Sequence, residues 1–272
     1  MESTSLRPKI SIAMGVYNCA PTLPEAIDSI ISQTYQDWEL IICDDGSKDE
    51  TLAIAQAYAQ KDSRIIVIQN PKNMGLNHSL NHCLKVSRGV YYARMDGDDI
   101  SIPERLSRLA TTLDSHPEVA LVSSWMGCFD QGGDWAVIKT QPLPDRLDFV
   151  RGSPFCHAPC MMRKEALEKV GGYGTEPWQR RVEDYHLWFK LYAAGYRGMN
   201  LPEVLYKMRD DRAAARRRNL RARLEEARVM WNGFRQLHIP FWYYPLILKP
   251  ILLGLMPLWL YEKLRLLRHS AT

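Results

Sequence analysis

The chain has 272 residues, 46% hydrophobic and 24% charged, with six scattered cysteines. This is the composition of an ordinary globular chain, long enough for one large domain plus an appendage, and it excludes a disulfide-stapled framework. The net charge of +4 hides an asymmetry: residues 1–206 carry 21 basic against 26 acidic side chains, a net of −5, whereas residues 207–272 carry 14 against 5, a net of +9.

The opening residues are polar and run at once into a strand pattern, so no cleavable signal peptide is expected and the thiols are expected to stay free in a reducing compartment. Ile10 to Val16 reads as an apolar strand. Thr22-Leu-Pro-Glu25 then opens a helix with capping-box spacing, its Ile27, Ile30 and Ile31 on one face. Residues 39–43 form a second strand, about 49–60 a helix, 64–69 a strand, 76–86 a helix and 90–95 a strand. Another helix starts at Pro103, a residue favoured in the first turn. Strands alternating with helices of this length predict a mostly parallel sheet with helices on both faces. In such sheets ligands gather at the carboxyl ends of the strands.

The motifs share that address. Tyr17-Asn18 ends the first strand, Asp44-Asp45-Gly46-Ser47 the second, and Asp96-Gly97-Asp98-Asp99 the strand that follows Gly89. Each alone has a plain reading as turn chemistry or a solvated acidic loop. Three carboxylates within four positions repel one another unless a cation or hydrogen-bond donors neutralise them. Mg²⁺ or Mn²⁺, with oxygen ligands shared with substrate phosphates, resolves the cluster. A calcium loop fails for want of glycine at its sixth position and an acid at its twelfth. There is no Walker A sequence, and Gly171-Gly-Tyr-Gly174 reads as the end of a helix. The ligand expected is a diphosphate held through a metal without a P-loop. Cys156-His157-Ala158-Pro159-Cys160 has the outline of a zinc clip but lacks a second ligand pair.

Taken together, Ser11-Ile-Ala-Met-Gly-Val-Tyr-Asn18, Ser29-Ile-Ile-Ser-Gln-Thr-Tyr35, the run ELIICDDGSKDET at 39–51, Asn73-Met-Gly75, Ala93-Arg-Met-Asp-Gly-Asp-Asp99, Pro103-Glu-Arg-Leu106 and Glu183-Asp184 with Leu187-Trp188 resemble the family 2 glycosyltransferases of the GT-A fold. The likeness covers about residues 9–209, in the family's order. It implies a GT-A catalytic domain at 1–208, with a nucleotide-binding half at about 9–115 and an acceptor half at about 116–208. It also implies an inverting transfer from a nucleotide-sugar. By resemblance, Tyr17 stacks on the base, Asp45 hydrogen-bonds to it with Asp44 beside it, and Asp96 and Asp98 match the Asp-x-Asp that holds the ribose and the divalent metal, Asp98 being the firmer metal ligand. Asp184 matches the general base, with Glu183 the fallback. Arg94 is either a further phosphate contact or a structural ion pair. His157 is either a group near the donor or a satisfied structural histidine. Trp188, one turn after Asp184 on a helix read at 183–194, either faces the acceptor sugar or, at helical spacing with Leu187 and Leu191, belongs to the core, the commoner case. The sequence departs from the family's pattern at Met14-Gly15, where many members have a proline, and after Arg209, where an arginine run replaces the usual loop. Acceptor choice is expected in the region 125–155.

The tail, 209–272, is expected to be a helical, membrane-associating appendage. Residues 209–228 read as a basic helix, and 241–261 hold a single charge, Lys249, over a length that could just cross a bilayer. Pro245, Pro250 and Pro257 kink such a segment, and Trp242, Tyr243, Tyr244, Trp259 and Tyr261 favour an interface. A bent segment lying in the interface, or entering and leaving on one side, is therefore expected, its arginines on anionic headgroups; helices packed on the catalytic domain are the plain alternative. The chain is thus expected to be a metal-dependent, inverting glycosyltransferase at the cytoplasmic face of a membrane, using Mn²⁺ or Mg²⁺ and a glycan or lipid-linked acceptor in cell-surface polysaccharide synthesis. No nucleic-acid partner is expected. A nucleotidyltransferase would need a glycine-rich basic loop that Val16-Tyr-Asn-Cys-Ala-Pro21 does not supply. A nucleotide-sugar-binding scaffold without catalysis is the other alternative.

Overall fold

Residues 7–210 and 220–255 are described by the computed structural model of the chain. Four strands, β1 (Ile10–Val16), β2 (Trp38–Asp44), β3 (Ile65–Gln69) and β4 (Tyr91–Asp96), pair in parallel in the order β3-β2-β1-β4. Their apolar runs are continuous because both faces are covered. Alternate residues feed opposite cores: Ile10, Ile12 and Met14 join Leu40, Ile42, Ala93 and Met95 on one face, whereas Ala13, Ile41, Cys43 and Tyr92 join the other. Helices α1 (Leu23–Ile31), α2 (Thr51–Lys61) and α4 (Arg105–Ser115) cover the first face, and α3 (Leu76–Val86), α5 (Lys164–Lys169) and α6 (Glu183–Ala193) the second.

Beyond β4 the sheet becomes mixed. β5 (Ile100–Ser101), β6 (Val119–Asp130), β7 (Gly133–Ile138), β8 (Met161–Arg163) and β9 (Arg197–Arg209) complete the order β3-β2-β1-β4-β8-β6-β9-β5, with β7 on the side of β6. β8 runs antiparallel to β4 and β6, β9 parallel to β6, and β5 antiparallel to β9. The β5 register, Ile100 with Lys207 and Ser101 with Tyr206, draws the end of β9 to the loop that follows β4.

Two local expectations need correction. Thr22 does not close a capping box; its hydroxyl donates instead to the carbonyls of Cys19 and Gly97, at 3.2 and 3.0 Å, tying the loop after β1 to the loop after β4. Arg209 does not begin a basic helix. It ends β9, where pairing with β6 outweighs helix propensity, and the described helix α7 spans Leu220–Gln236. Residues 211–219, which hold the rest of the arginine run before Leu220, lie outside the described residues. Within 241–261 the described part breaks into a 3₁₀ segment, Phe241–Ile247, and a short helix α8, Leu248–Leu255; residues 256–261 lie outside it. Among the described residues no helix is long and apolar enough to cross a membrane.

α7 is docked on the core of the second face. Val229, Met230 and Phe234 are fully buried in the same core as Leu187 and Phe189 of α6. Gly233 makes this approach possible, since a Cβ there would sit 2.3 Å from the Phe189 ring. Gly233→Ala should therefore lower stability by about 1–3 kcal/mol through overpacking. That outweighs the ~1 kcal/mol alanine contributes as a helix former. A lower midpoint in thermal unfolding checks it, and an unchanged or higher midpoint would mean the helix pair is looser than described.

Candidate active site

Register alone brings the three motif-bearing strand ends together, because Val16 pairs with Asp44 and Gly15 with Asp96. Just beyond them a recess of about 150 Å³ is lined by Tyr17, Asp45, Asn73, Gly75, Leu76 and Ser79 among others. Tyr17 is 46% exposed, an aromatic face open to the recess. Asp45 is buried and accepts hydrogen bonds from Asn70 Nδ2 at 2.8 Å and from the backbone N–H groups of Met74 and Gly75 at 2.9 and 2.7 Å. It thereby folds the loop before α3 against the recess. Gly75, at φ +102°, supplies the backbone conformation that lets its N–H turn toward Asp45. Asp44 faces the turn after β2, accepting from Gly46 and Ser47 N–H and from Gln69 Nε2.

The loop after β4 holds Asp96, Asp98 and Asp99 with carboxylate oxygens within 4.8 Å of one another, and among the described residues it is the one such group of three potential metal ligands. Their surroundings differ. Asp96 is gripped by the buried Arg94 in a bidentate pair, both N···O distances 2.6 Å. Asp99 is buried, accepts from the Arg209 N–H at 2.8 Å, and is pushed well above the usual carboxylate range by burial and by the charges of Asp96 and Asp98. Asp98 is exposed; desolvation by the crowded loop, then the charge of Asp96, raises its carboxyl. A hard divalent cation fits this donor set, since it would relieve the repulsion and takes carboxylate oxygens.

A second acidic pair opens α6. Glu183 and Asp184 form the first turn of α6, where the helix dipole favours negative charge. Glu183 is lifted to about 7 by desolvation and by Asp184 beside it. The Arg94 charge is felt at Asp98, at His157 and at Glu183. His157 Nε2 lies 2.9 Å from the Tyr173 hydroxyl, and burial followed by the Arg94 charge holds the imidazole well below its ordinary pKa, hence neutral. Trp188 is fully buried, edge-on to Phe155 and His157, as its core reading requires. The Cys156 and Cys160 thiols are each pushed up to about 12 by burial, and with His157 they do not form a group of potential metal ligands among the described residues.

Sequence reasoning missed three participants. Tyr206 accepts from the Asp96 N–H at 3.1 Å, and Arg209 binds Asp99 through its N–H and the Asp98 carbonyl through Nε at 2.9 Å. Arg105, fully buried, donates to the Arg94 carbonyl at 2.8 Å and lies 5.2 Å from the Tyr206 ring, bracing the floor of the acidic loop. Only the β5–β9 pairing, 110 residues distant in sequence at Arg209, makes the first two neighbours of the loop.

This geometry has counterparts among known proteins. EpsE of Bacillus subtilis (strain 168), described as a glycosyltransferase, is 43% identical over 251 residues, spanning 92% of this chain and 90% of EpsE. An Escherichia coli protein named UDP-Gal:alpha-D-GlcNAc-diphosphoundecaprenol beta-1,3-galactosyltransferase is 31% identical over 240 residues, 86% of each chain. The mannosyltransferase PcManGT from Pyrobaculum calidifontis, solved with GDP-Man and Mn²⁺, matches the structure with a TM-score of 0.65 at 20% identity, covering 98% of this chain and 81% of that one. At that identity the likeness shows the fold alone, which is GT-A. The family model described as glycosyl transferase family 2 matches residues 11–171, and that of glycosyl transferase family group 2 matches 93–268. The first of these matches takes in every motif of the nucleotide half and covers more than half of the sequence, and with EpsE it settles membership: the chain belongs to the family 2 glycosyltransferases.

Proposed function

We propose that this glycosyltransferase moves a sugar, with inversion, from a nucleotide-diphospho-sugar to a hydroxyl of a lipid-linked glycan, in a divalent-metal-dependent reaction of cell-surface polysaccharide synthesis. The observation that carries the proposal is the meeting of two acidic strand ends, those of β2 and β4, at the Tyr17 end of β1, with Asp96 held by the buried Arg94. The E. coli relative is named for a diphosphoundecaprenol-linked acceptor, which supports the lipid-linked class. In this reading Tyr17 stacks on the base, and Asp45 hydrogen-bonds to it or holds the loop that frames it. Asp44 shapes the adjoining turn. Asp98, with Asp96, would hold Mn²⁺ or Mg²⁺, and a cation there would supply positive charge for the departing diphosphate. Arg94, which pairs with Asp96, would add positive charge beside the phosphates. Asp184 accepts the proton of the acceptor hydroxyl as it attacks. The tail, 209–272, keeps the protein peripherally on the cytoplasmic face of a membrane.

The test is a thermal-shift panel of UDP, GDP, TDP and CMP, each with Mn²⁺ and then with EDTA. A ligand confined to the folded state at 100 times its Kd stabilises by about 2.7 kcal/mol. One diphosphate should raise the midpoint and lose its effect with EDTA, as expected for a metal-held nucleotide. No shift with any nucleotide in the presence of Mn²⁺ would overturn the donor-site assignment.

A further inference from the structure

We infer that Tyr173 is a positioning residue that aims His157 at the acceptor sugar beside Asp184; this rests on the transfer proposed above. Tyr173 is buried in the core of the second face, 2% exposed. Its main chain is clasped to α3, the N–H donating to Asn81 Oδ1 and the carbonyl accepting from Asn81 Nδ2, both at 2.8 Å. Gly172, at φ +63°, turns the chain there, and a Cβ on it would come within 2.5 Å of that same Asn81 oxygen. The ring is therefore held from its backbone outward. Its hydroxyl has one partner among the described residues, His157 Nε2 at 2.9 Å.

That partner settles which group donates. A phenol O–H buried without an acceptor carries the full cost of its desolvation. The Tyr173 hydroxyl therefore donates to Nε2, and the neutral imidazole carries its own proton on Nδ1. Burial keeps the phenol well above its ordinary pKa, so it stays a donor. Nδ1 has no partner among the described residues, and His157 is only half-buried. A histidine retained for packing alone would use both ring nitrogens inside the protein. Here one is used and the other is left as a free, oriented N–H.

The surroundings of His157 put that N–H on the acceptor side. Its carbonyl accepts from the Cys160 N–H at 3.2 Å, and the Cys160 carbonyl accepts from the Arg94 N–H at 3.0 Å, which ties His157 to β4 two residues before Asp96. Its ring lies 5.8 Å from that of Trp188, edge-on. Trp188 follows Asp184 by four residues on α6, and side chains at that spacing share a helix face. The imidazole is thus on the face of α6 that carries Asp184, where the acceptor hydroxyl loses its proton. A neutral N–H suits a sugar, whose hydroxyl and ring oxygens accept a hydrogen bond without charge. Such a bond fixes the angle at which the acceptor presents its nucleophilic oxygen. Tyr173 touches no substrate itself and acts by holding the ring proton on Nδ1.

Tyr173→Phe in the full chain, which removes only the hydroxyl from a buried ring, tests this. With nucleotide-sugar and Mn²⁺ saturating, kcat/KM for a lipid-linked acceptor should fall about tenfold, the loss of one aligned hydrogen bond. The donor KM and the thermal shift with nucleoside diphosphate and Mn²⁺ should stay unchanged, which shows that the fold and donor site are intact. His157→Ala should lose at least as much, and adding Tyr173→Phe to it should cost nothing further, because Tyr173 acts through the imidazole. Nitrogen NMR of histidine-labelled protein, with the His157 signal identified by its absence in His157→Ala, should show the proton on Nδ1 in wild type and shared between the two nitrogens in Tyr173→Phe. The inference is overturned by Nε2 protonated in wild type, by unchanged acceptor kinetics in a folded Tyr173→Phe protein, by a defect confined to the donor KM, or by losses that add in the double variant. Wild type with Nδ1 protonated that transfers to no lipid-linked glycan would instead remove the proposed acceptor, and with it the partner assigned to His157, while leaving the Tyr173–His157 pair as found.

Discussion

Asp184→Asn is expected to abolish glycosyl transfer while leaving nucleotide binding unchanged. The acceptor hydroxyl attacks only as its proton is taken, so losing the base should reduce kcat by about 10²–10⁴-fold. The neighbouring Glu183 is the rival. Its pKa is raised from 4.5 to about 7 by desolvation and by Asp184, so it holds a proton through most of the acidic range and is no base there. Glu183→Gln, which imitates the protonated form, should keep activity below pH 7 while Asp184→Asn has none. The sign of the stability effect follows. Between pH 4.5 and about 7 the folded chain holds a proton at Glu183 that the unfolded chain has released, so this group's contribution to stability falls as pH rises across that window. Glu183→Gln should remove that slope from the thermal midpoint. Transfer retained in Asp184→Asn but lost in Glu183→Gln would exchange the two roles.

Asp98→Ala should lose both the metal-dependent nucleotide shift and activity, the latter by about 10²–10³-fold, the scale of losing one preorganised charge contact to a transition state. Without metal the same substitution should leave the midpoint unchanged or raise it, because desolvation and Asp96 hold the Asp98 carboxyl above its ordinary range in the folded chain and its ionised form is disfavoured there. This opposite sign in the two conditions distinguishes a metal ligand from a structural residue. Full activity in a folded Asp98→Ala protein would move the metal assignment to Asp96 and Asp99 or remove it.

The reach of the sequence differs from one side of the site to the other. For the nucleotide half, alternation and turn chemistry were enough: the runs at Ile10, Glu39 and Tyr91 are apolar on both faces, and only a covered parallel sheet accommodates that. Strand-end motifs then had to converge, and Val16 with Asp44 and Gly15 with Asp96 are in register. The helix starting with Glu183 was legible too, from its apolar spacing and its acidic first turn. The tail was legible only as composition, since a basic and apolar run does not state which of its faces is covered.

What the sequence by itself determined is the local chemistry: which strands and helices form, which strand ends carry carboxylates, and that their charges need a cation or donors. Tertiary structure alone decided how those carboxylates are divided. Asp96 is bound by Arg94 two residues away, but Asp99 meets the Arg209 N–H only because β5 pairs antiparallel with β9, leaving Asp98 open. It also decided that Gly233 admits Phe189 and that α7 is core while Trp242 and Leu255 remain bare. The reason is physical. Periodicity and turn propensity act between residues close in the chain, whereas pairing across 110 residues and the packing of one helix on another depend on surfaces that exist only once the sheet has formed.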